Sequence, residues 1–336
     1  MSSLKKNVLT LLLLLLVYSW FFFVHQNKQT PPLKILGADT NIALFVEPSS
    51  GRQPILEAIN SAQNEIFVEV YLMSDKQIIN ALEMAKQRGV VVEVMLEQHP
   101  FGGGSLNNAT KEELISKGVS FEWANSSFAL THEKTIVIDK NEAFILNQNL
   151  TASSFSKNRE YDVIDTNPQD VSEIRSMFIS DWERKPFLPG VSHLIVSPIN
   201  SRTALTTLIK STTKTIDIEM EVINDDQVIS QLCDEAKKIQ VRLLVPTFSQ
   251  IDSNFNSVNK LSACGAFVKT MSSPYVHAKL ILVDSAKAYV GSVNLSSQSM
   301  DENRELGIIL TQNDSLKNLV VSFASDWNKS IELNQK

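Results

Sequence analysis

Residues 276–295 read VHAKLILVDSAKAYVGSVNL, and residues 131–150 read THEKTIVIDKNEAFILNQNL. The two align without a gap at an offset of 145, with His, Lys, Asp and Asn falling at the same places. Working outward, KNRE (157–160) meets ENRE (302–305), and FISDW (178–182) meets FASDW (323–327), at the same offset. A constant offset over about fifty residues means a duplicated unit. Upstream, PILEAINSAQNEIFVEVYLMSDKQIINALEMAKQRGVVVEVMLE (54–97) has a counterpart in LTTLIKSTTKTIDIEMEVINDDQVISQLCDEAKKIQVRLLVP (205–246). Each reads as helix, strand, helix, strand. Ile55, Ala58, Ile59 and Ala62 fall at helical spacing, and IFVEVYL is a strand run rich in branched and aromatic residues. Ile78, Ile79, Leu82 and Ala85 form the next apolar face, and Gly89 ends that helix before VVVEVML. Alternating strands and helices predict an α/β fold, sheets covered by helices. The Pro and Gly of FLPGVS put the boundary between the units near 187–192, separating 40–187 from 188–336.

Within that frame the same polar residues recur. They are His132, Lys134, Asp139, Asn149 and Glu160, then His277, Lys279, Asp284, Asn294 and Glu305. His and Lys two apart in a strand project to one face. A lysine there is unwelcome in a core and repels a metal cation. The set suits an anion: Lys supplies fixed charge, Asn an amide donor, and His a nucleophilic or acid–base nitrogen. Taken singly, each residue has a plain structural reading, and for Asp139 and Asp284 that reading is a strand-end or turn position. Joint recurrence argues otherwise, because Glu133 against Ala278 and Asn141 against Ala286 drift while the polar frame holds.

These residues closely resemble the phospholipase D superfamily, whose signature is His-x-Lys-x4-Asp followed by Gly-Ser-x-Asn, present twice. The likeness covers roughly residues 40 to 330. The second copy fits throughout, with His277, Lys279, Asp284, Gly291, Ser292 and Asn294; the first departs where Leu146 and Asn147 replace Gly and Ser before Asn149. The resemblance implies two pseudo-symmetric repeats, each a mixed sheet flanked by helices, packed as an α-β-α-β-α sandwich around one shared active site. It implies two-step phosphoryl transfer with His132 as nucleophile, forming a phosphohistidine, and His277 as general acid. Lys134, Lys279, Asn149 and Asn294 would hold the nonbridging oxygens, with Asn147 and Ser292 in support and Asp139 and Asp284 completing the catalytic motif. Glu160 and Glu305, each 28 residues after the His of its own motif, are expected to hydrogen-bond that His. No metal and no organic cofactor is required.

Composition bounds the rest. The 336 residues carry a net charge of −6, which speaks against a general nucleic-acid binder. Two cysteines, Cys233 and Cys264, exclude a disulfide scaffold; one bridge or two buried thiols are the alternatives. VLTLLLLLLVYSWFFFV (8–24), preceded by Lys5 and Lys6, reads as an uncleaved signal anchor. A cleaved signal peptide is the alternative, which would make the protein secreted. The expected order is a cytoplasmic 1–7, a transmembrane 8–24, a linker 25–39, and catalytic domains on the periplasmic or extracellular side. EQHPFGGGSLNN (97–108) is a candidate loop at the pocket mouth. His25, His99 and His193 receive no role.

The leading expectation is therefore a membrane-anchored phospholipase D. It would cleave phospholipids at the headgroup ester, with water or an alcohol as acceptor. The alternatives are a nucleic-acid phosphodiesterase, a cardiolipin-synthase-like phosphatidyltransferase, and, outside the enzymes, an inactive membrane-tethered scaffold. The headgroup, the acceptor and the oligomeric state are not legible in the sequence.

Overall fold

The computed structural model describes residues 41–101, 106–190, 193–311 and 314–333. The expected anchor and linker lie outside the described residues, as do Gly102, Gly103 and Gly104 of the candidate loop. No described helix is long and apolar enough to cross a membrane. The described residues belong to one compact unit.

That unit contains two mixed sheets of the same topology. The first holds β1 (Ile42–Glu47), β2 (Glu65–Val70), β3 (Val91–Leu96), β4 (Ser120–Trp123), β5 (Lys134–Ile138), β6 (Glu142–Ile145) and β7 (Asn158–Asp165), in the order β1-β7-β6-β5-β2-β3-β4. The second holds β8 (Leu194–Ser197), β9 (Thr215–Met220), β10 (Gln240–Pro246), β11 (Phe267–Met271), β13 (Lys279–Val283), β14 (Lys287–Gly291), β15 (Glu305–Thr311) and β16 (Ile331–Glu332). Its order is β16-β11-β10-β9-β13-β14-β15-β8. The short β12 (Tyr275–Val276) crosses over and pairs with β7 of the first sheet. Its counterpart, Thr131, bridges to Arg304 in the same way. The two repeats are therefore joined by exchanged backbone just ahead of each His-x-Lys.

The helices follow the predicted periodicity. In Gln53–Ser61 the inward residues are Ile55, Ala58 and Ile59; in Lys76–Gln87 they include Ile78, Ile79, Leu82 and Ala85. Asp75 and Asp225 cap the second helix of each repeat, Asp75 accepting from the N–H groups of Gln77 and Ile78 and Asp225 from that of Val228. Gly89, at φ +93°, takes the left-handed turn that ends the helix.

Strand residues alternate between two cores. Ile66, Val68 and Val70 pack with Ile136 and Ile138 under the helices of the first repeat. Phe67 and Val137 face the opposite way, into a core shared with Leu280, Leu282 and Val290 of the second repeat. Helices Pro168–Trp182 and Asp314–Lys329 both place apolar residues in this shared core, among them Phe178 and Phe323. Strands buried on both faces read as continuous apolar runs, which is why a lysine at the head of β5 and β13 stands out. Cys233 and Cys264 form a disulfide (S–S 2.00 Å) tying helix Asp226–Ala236 to the end of helix Phe255–Ala263.

Candidate active site

β5 and β13 run antiparallel to β2 and β9, so their first residues lie beside the last residues of those strands. Lys134 pairs with Val70 and Lys279 with Met220. The backbone exchange brings the two strand heads to one seam: His132 N–H donates to Arg304 O (2.8 Å) and His277 N–H to Arg159 O (3.3 Å).

Across that seam each histidine finds the glutamate of the other repeat. His132 Nδ1 lies 3.0 Å from Glu305 Oε2, and His277 Nδ1 lies 2.7 Å from Glu160 Oε2. This corrects the expectation that each glutamate serves the histidine of its own repeat. The exchanged strands swap the partners. Asn158 donates to Glu160 Oε1 (2.8 Å) and Asn303 to Glu305 Oε1 (3.1 Å), so each carboxylate is held at both oxygens. With Nδ1 facing a carboxylate, Nε2 is the nitrogen that can meet a substrate.

The lysines complete a compact charged cluster. Lys134 Nζ donates to His132 O (2.6 Å), and Lys279 Nζ donates to His277 O (2.8 Å) and Glu221 Oε2 (2.8 Å). Burial, with the Lys279 charge across the seam adding to it, pushes the Lys134 ammonium down to about 7. Burial and then the Lys134 charge push His132 down to about 4. Glu305 moves the other way. Burial would raise its carboxyl, but His132 and Lys134 outweigh that cost and hold it below the ordinary value. Cations this crowded are stabilised by an arriving anion, which would return both values upward.

The remaining predicted residues separate into two groups. Asn294 Oδ1 accepts from Val222 N–H (3.1 Å), which leaves its amide N–H groups for a ligand, and Asn149 occupies the matching place in the first repeat. Ser292 follows β14 and lies against β15, bonding the Leu306 backbone in both directions (3.1 and 3.2 Å). Asn147 is buried and donates to Gly291 O of the other repeat (2.7 Å). Its amide ties the seam instead of supporting phosphate as the sequence suggested.

Asp139 and Asp284 are outside the cluster. Each sits at the far end of its strand, roughly 17 Å of extended chain from the lysine, in a tight turn. Asn141 N–H donates to Ile138 O, and Asp139 and Lys140 both have positive φ (51° and 61°), the signature of a type I′ turn. The Asp139 carboxylate accepts from the N–H groups of Gln63 (2.7 Å), Asn64 (2.6 Å) and Glu65 (3.0 Å). Asp284 does the same for Thr213 (2.9 Å), Lys214 (2.7 Å) and Thr215 (2.9 Å). Against a burial cost, these donors hold Asp139 below its ordinary value and bring Asp284 to about 2. The motif aspartates clamp the entry to β2 and β9 and lie apart from the histidine and lysine cluster, where the motif had grouped them with the catalytic residues.

Several residues that bear on the site had no role in the sequence reading. Arg159 pairs with Asp326 (2.6 Å) and Arg304 with Asp181 (2.7 Å), both across the seam. These are the arginines of the two NRE segments and the aspartates of the two SDW segments, and their shared offset was the signal available. Tyr71 and Glu221 follow β2 and β9 at matching positions and touch His132 and His277 respectively, but they differ in type, so recurrence could not find them. His193, unassigned before, lies 3.3 Å from Asp170, away from the cluster.

The family described as cardiolipin synthase, PLD-like domain, matches residues 55–182 and again 205–327, one match per sheet. The chain is 26% identical over 325 residues to cardiolipin synthase 2 of Bacillus cereus, a match covering 83% of this chain and 63% of that protein. It is 28% identical over 167 residues to the cardiolipin synthase of Clostridium perfringens, covering 48% and 34%. The chain thus spans less than two thirds of the length of these relatives. Among solved structures, phosphatidylserine synthase of Haemophilus influenzae superposes with a TM-score of 0.69 at 14% identity, covering 89% of each chain, a likeness of fold. With the paired motifs, the double sheet and a family match to both repeats in agreement, the chain belongs to the phospholipase D superfamily, within the family of cardiolipin synthase PLD-like domains.

Proposed function

We propose that the protein is a phosphatidyltransferase of the cardiolipin-synthase type, moving the phosphatidyl group of one phospholipid onto a hydroxyl of another. The observation that carries the chemistry is the pair of histidines, each with Nδ1 on a glutamate of the opposite repeat, around two buried lysines. His132 Nε2 attacks phosphorus, the bond to the leaving alcohol breaks, and that oxygen takes a proton from His277. The acceptor hydroxyl then gives its proton to His277 as its oxygen attacks the phosphohistidine, and the P–N bond breaks to restore His132. Lys134, Lys279, Asn149 and Asn294 hold the nonbridging oxygens as charge develops. Lysine and amide charge aimed at a fixed point cost no reorganisation during the reaction.

Headgroup hydrolysis, the leading expectation from sequence, is the same first step with water as acceptor. Similarity to cardiolipin synthases across both repeats favours transfer over hydrolysis. The disulfide supports catalytic domains on the oxidising side of a membrane, with residues 8–24 as anchor. The test is the full-length protein in vesicles of radiolabelled phosphatidylglycerol, in EDTA. Cardiolipin and glycerol in equal amounts are expected. Phosphatidic acid as the sole lipid product would restore the hydrolase, and cleavage of DNA alone would sink both lipid readings.

A further inference from the structure

In the proposed reaction two near-identical histidines serve one phosphate, yet one must attack as a free base and the other must donate a proton. The residues that recur in both repeats cannot tell them apart. What differs is the residue that follows β2 and β9. Aligning VEVYLMSD (68–75) with IEMEVIND (218–225) superposes the helix caps Asp75 and Asp225 and puts Tyr71 opposite Glu221.

The two make different contacts. The Tyr71 ring stands edge-on to His132 (centroids 4.7 Å apart, planes at 68°) and lies under Lys134 Nζ (5.4 Å), while its hydroxyl accepts from Phe101 N–H. Glu221 Oε2 accepts from Lys279 Nζ (2.8 Å) and lies 3.4 Å from His277 Nε2, and its Oε1 accepts from Tyr275 OH (2.9 Å). His277 is therefore flanked by carboxylates at both nitrogens, Glu160 at one and Glu221 at the other, whereas among the described residues His132 has a carboxylate only at Nδ1.

We propose that Glu221 is a positioning residue that makes His277 the general acid, and that its replacement by Tyr71 in the first repeat leaves His132 as the nucleophile. The proposal rests on the phosphoryl-transfer reading of the site, not on the identity of the lipid. A carboxylate 3.4 Å from Nε2 stabilises the positive charge of a proton-carrying ring beside the point where the leaving oxygen must arrive. A neutral ring beside His132 gives no such support. Glu221 remains anionic against the cost of burial because His277 and Lys279 face it. Glu221 also neutralises Lys279, so it weakens the grip on a bound phosphate in exchange for proton delivery. The groups facing His277 are Glu160 from β7, Glu221 after β9, Tyr275 from β12 and Lys279 from β13. Those facing His132 are Tyr71, Lys134, Glu305 and, across the seam, Lys279.

The test compares two leaving groups. Glu221→Gln in the full-length protein is assayed on a phosphodiester with an alkyl leaving group and on one with a p-nitrophenyl leaving group, which departs without protonation. The alkyl rate should fall about 100-fold and the p-nitrophenyl rate less than about 5-fold. Inorganic phosphate should inhibit about 10-fold more strongly. Glu221→Asp, which keeps the charge, should recover part of the alkyl rate. Equal losses on both leaving groups, with a melting temperature unchanged from the parent, would overturn the proposal. The aryl ester keeps the outcomes separate. A protein that cleaves it without making cardiolipin refutes the lipid assignment and leaves the role of Glu221 measurable.

Discussion

The two repeats share a polar frame but build the loop behind it differently. In the second, Gly291 and Gly307 lie so close that a Cβ on Gly291 would stand 2.3 Å from the Gly307 Cα. The space they leave is filled by Tyr289, whose hydroxyl accepts from Val293 N–H (2.9 Å). In the first repeat these three positions are Leu146, Asp162 and Phe144. Phe144 has no hydroxyl, and the Asp162 carboxylate takes over, accepting from the N–H groups of Asn147 (2.7 Å) and Gln148 (3.3 Å). The lost Gly-Ser is thus a coordinated change of three residues that still satisfies the buried loop amides. Divergence after duplication left the chemistry-bearing frame alone and rebuilt its support, and it placed Tyr71 against Glu221 where the two histidines need to differ.

The comparison breaks most visibly at the histidines. His132→Ala and His277→Ala should each reduce lipid transfer by at least about 10⁴-fold, the usual scale for removing a group from a coupled catalytic unit. They should separate on a p-nitrophenyl phosphodiester, where His277→Ala still accumulates a labelled phosphoenzyme and His132→Ala gives none. Label on the His132→Ala protein would move the nucleophile to the second repeat.

Next in size are the arginines that staple one repeat to the other. Arg304 is 2% exposed and Asp181 0%. Removing one partner of such a pair strands a buried charge at a cost of about 3–5 kcal/mol. Arg304→Met should therefore lower the denaturation free energy by that amount, and Arg304→Met with Asp181→Leu should recover most of it. Arg159, at 12% exposure, should show the smaller loss when replaced by Met. Equal and negligible effects in urea titrations would mean the repeats are held by the shared apolar core alone.

These staples mark how far the sequence could be read. The duplication and the helix faces of Ile55 to Ala62 and Ile78 to Ala85 were legible because recurrence and periodicity encode them directly, and the convergence of His132, Lys134, His277 and Lys279 was implied by the resemblance to the phospholipase D superfamily. The exchange of partners was not. A glutamate 28 residues after a histidine reads as local in sequence, and only the pairing of Thr131 with Arg304 and Val276 with Arg159 shows that each glutamate crosses the seam. The aspartates misled for the opposite reason: they recur with the histidines because the same strand carries both, one at each end.

The crossed glutamates should contribute at an intermediate level. Glu305→Gln and Glu160→Gln each remove the charge facing Nδ1, and kcat should fall about 100-fold. Their signatures should differ by half. Glu160→Gln slows the alkyl leaving group more than the aryl one, whereas Glu305→Gln slows both, because it weakens the nucleophile. In the parent protein, kcat/KM should rise with pH through about 4, where His132 becomes neutral, and fall above about 7, where Lys134 loses its charge. An acid limb near the ordinary histidine value would show that His132 is not desolvated in the free protein.

The smallest expected effects fall on the motif aspartates. Asn tolerates the left-handed turn conformation, so Asp139→Asn and Asp284→Asn keep the backbone while removing the carboxylate that accepts from three N–H groups. Each should cost about 1–2 kcal/mol of stability. Asp284→Asn also weakens the bond from the Thr213 hydroxyl at 2.8 Å, and Asp139→Asn the one from the Asn64 side chain. Both should leave kcat/KM within about 2-fold of the parent, because the turn lies at the far end of the strand from the lysine. A full loss of turnover in Asp139→Asn with an unchanged melting temperature would put the aspartate back into the chemistry. It would also mean that β5 carries the state of its turn to Lys134 along a buried strand.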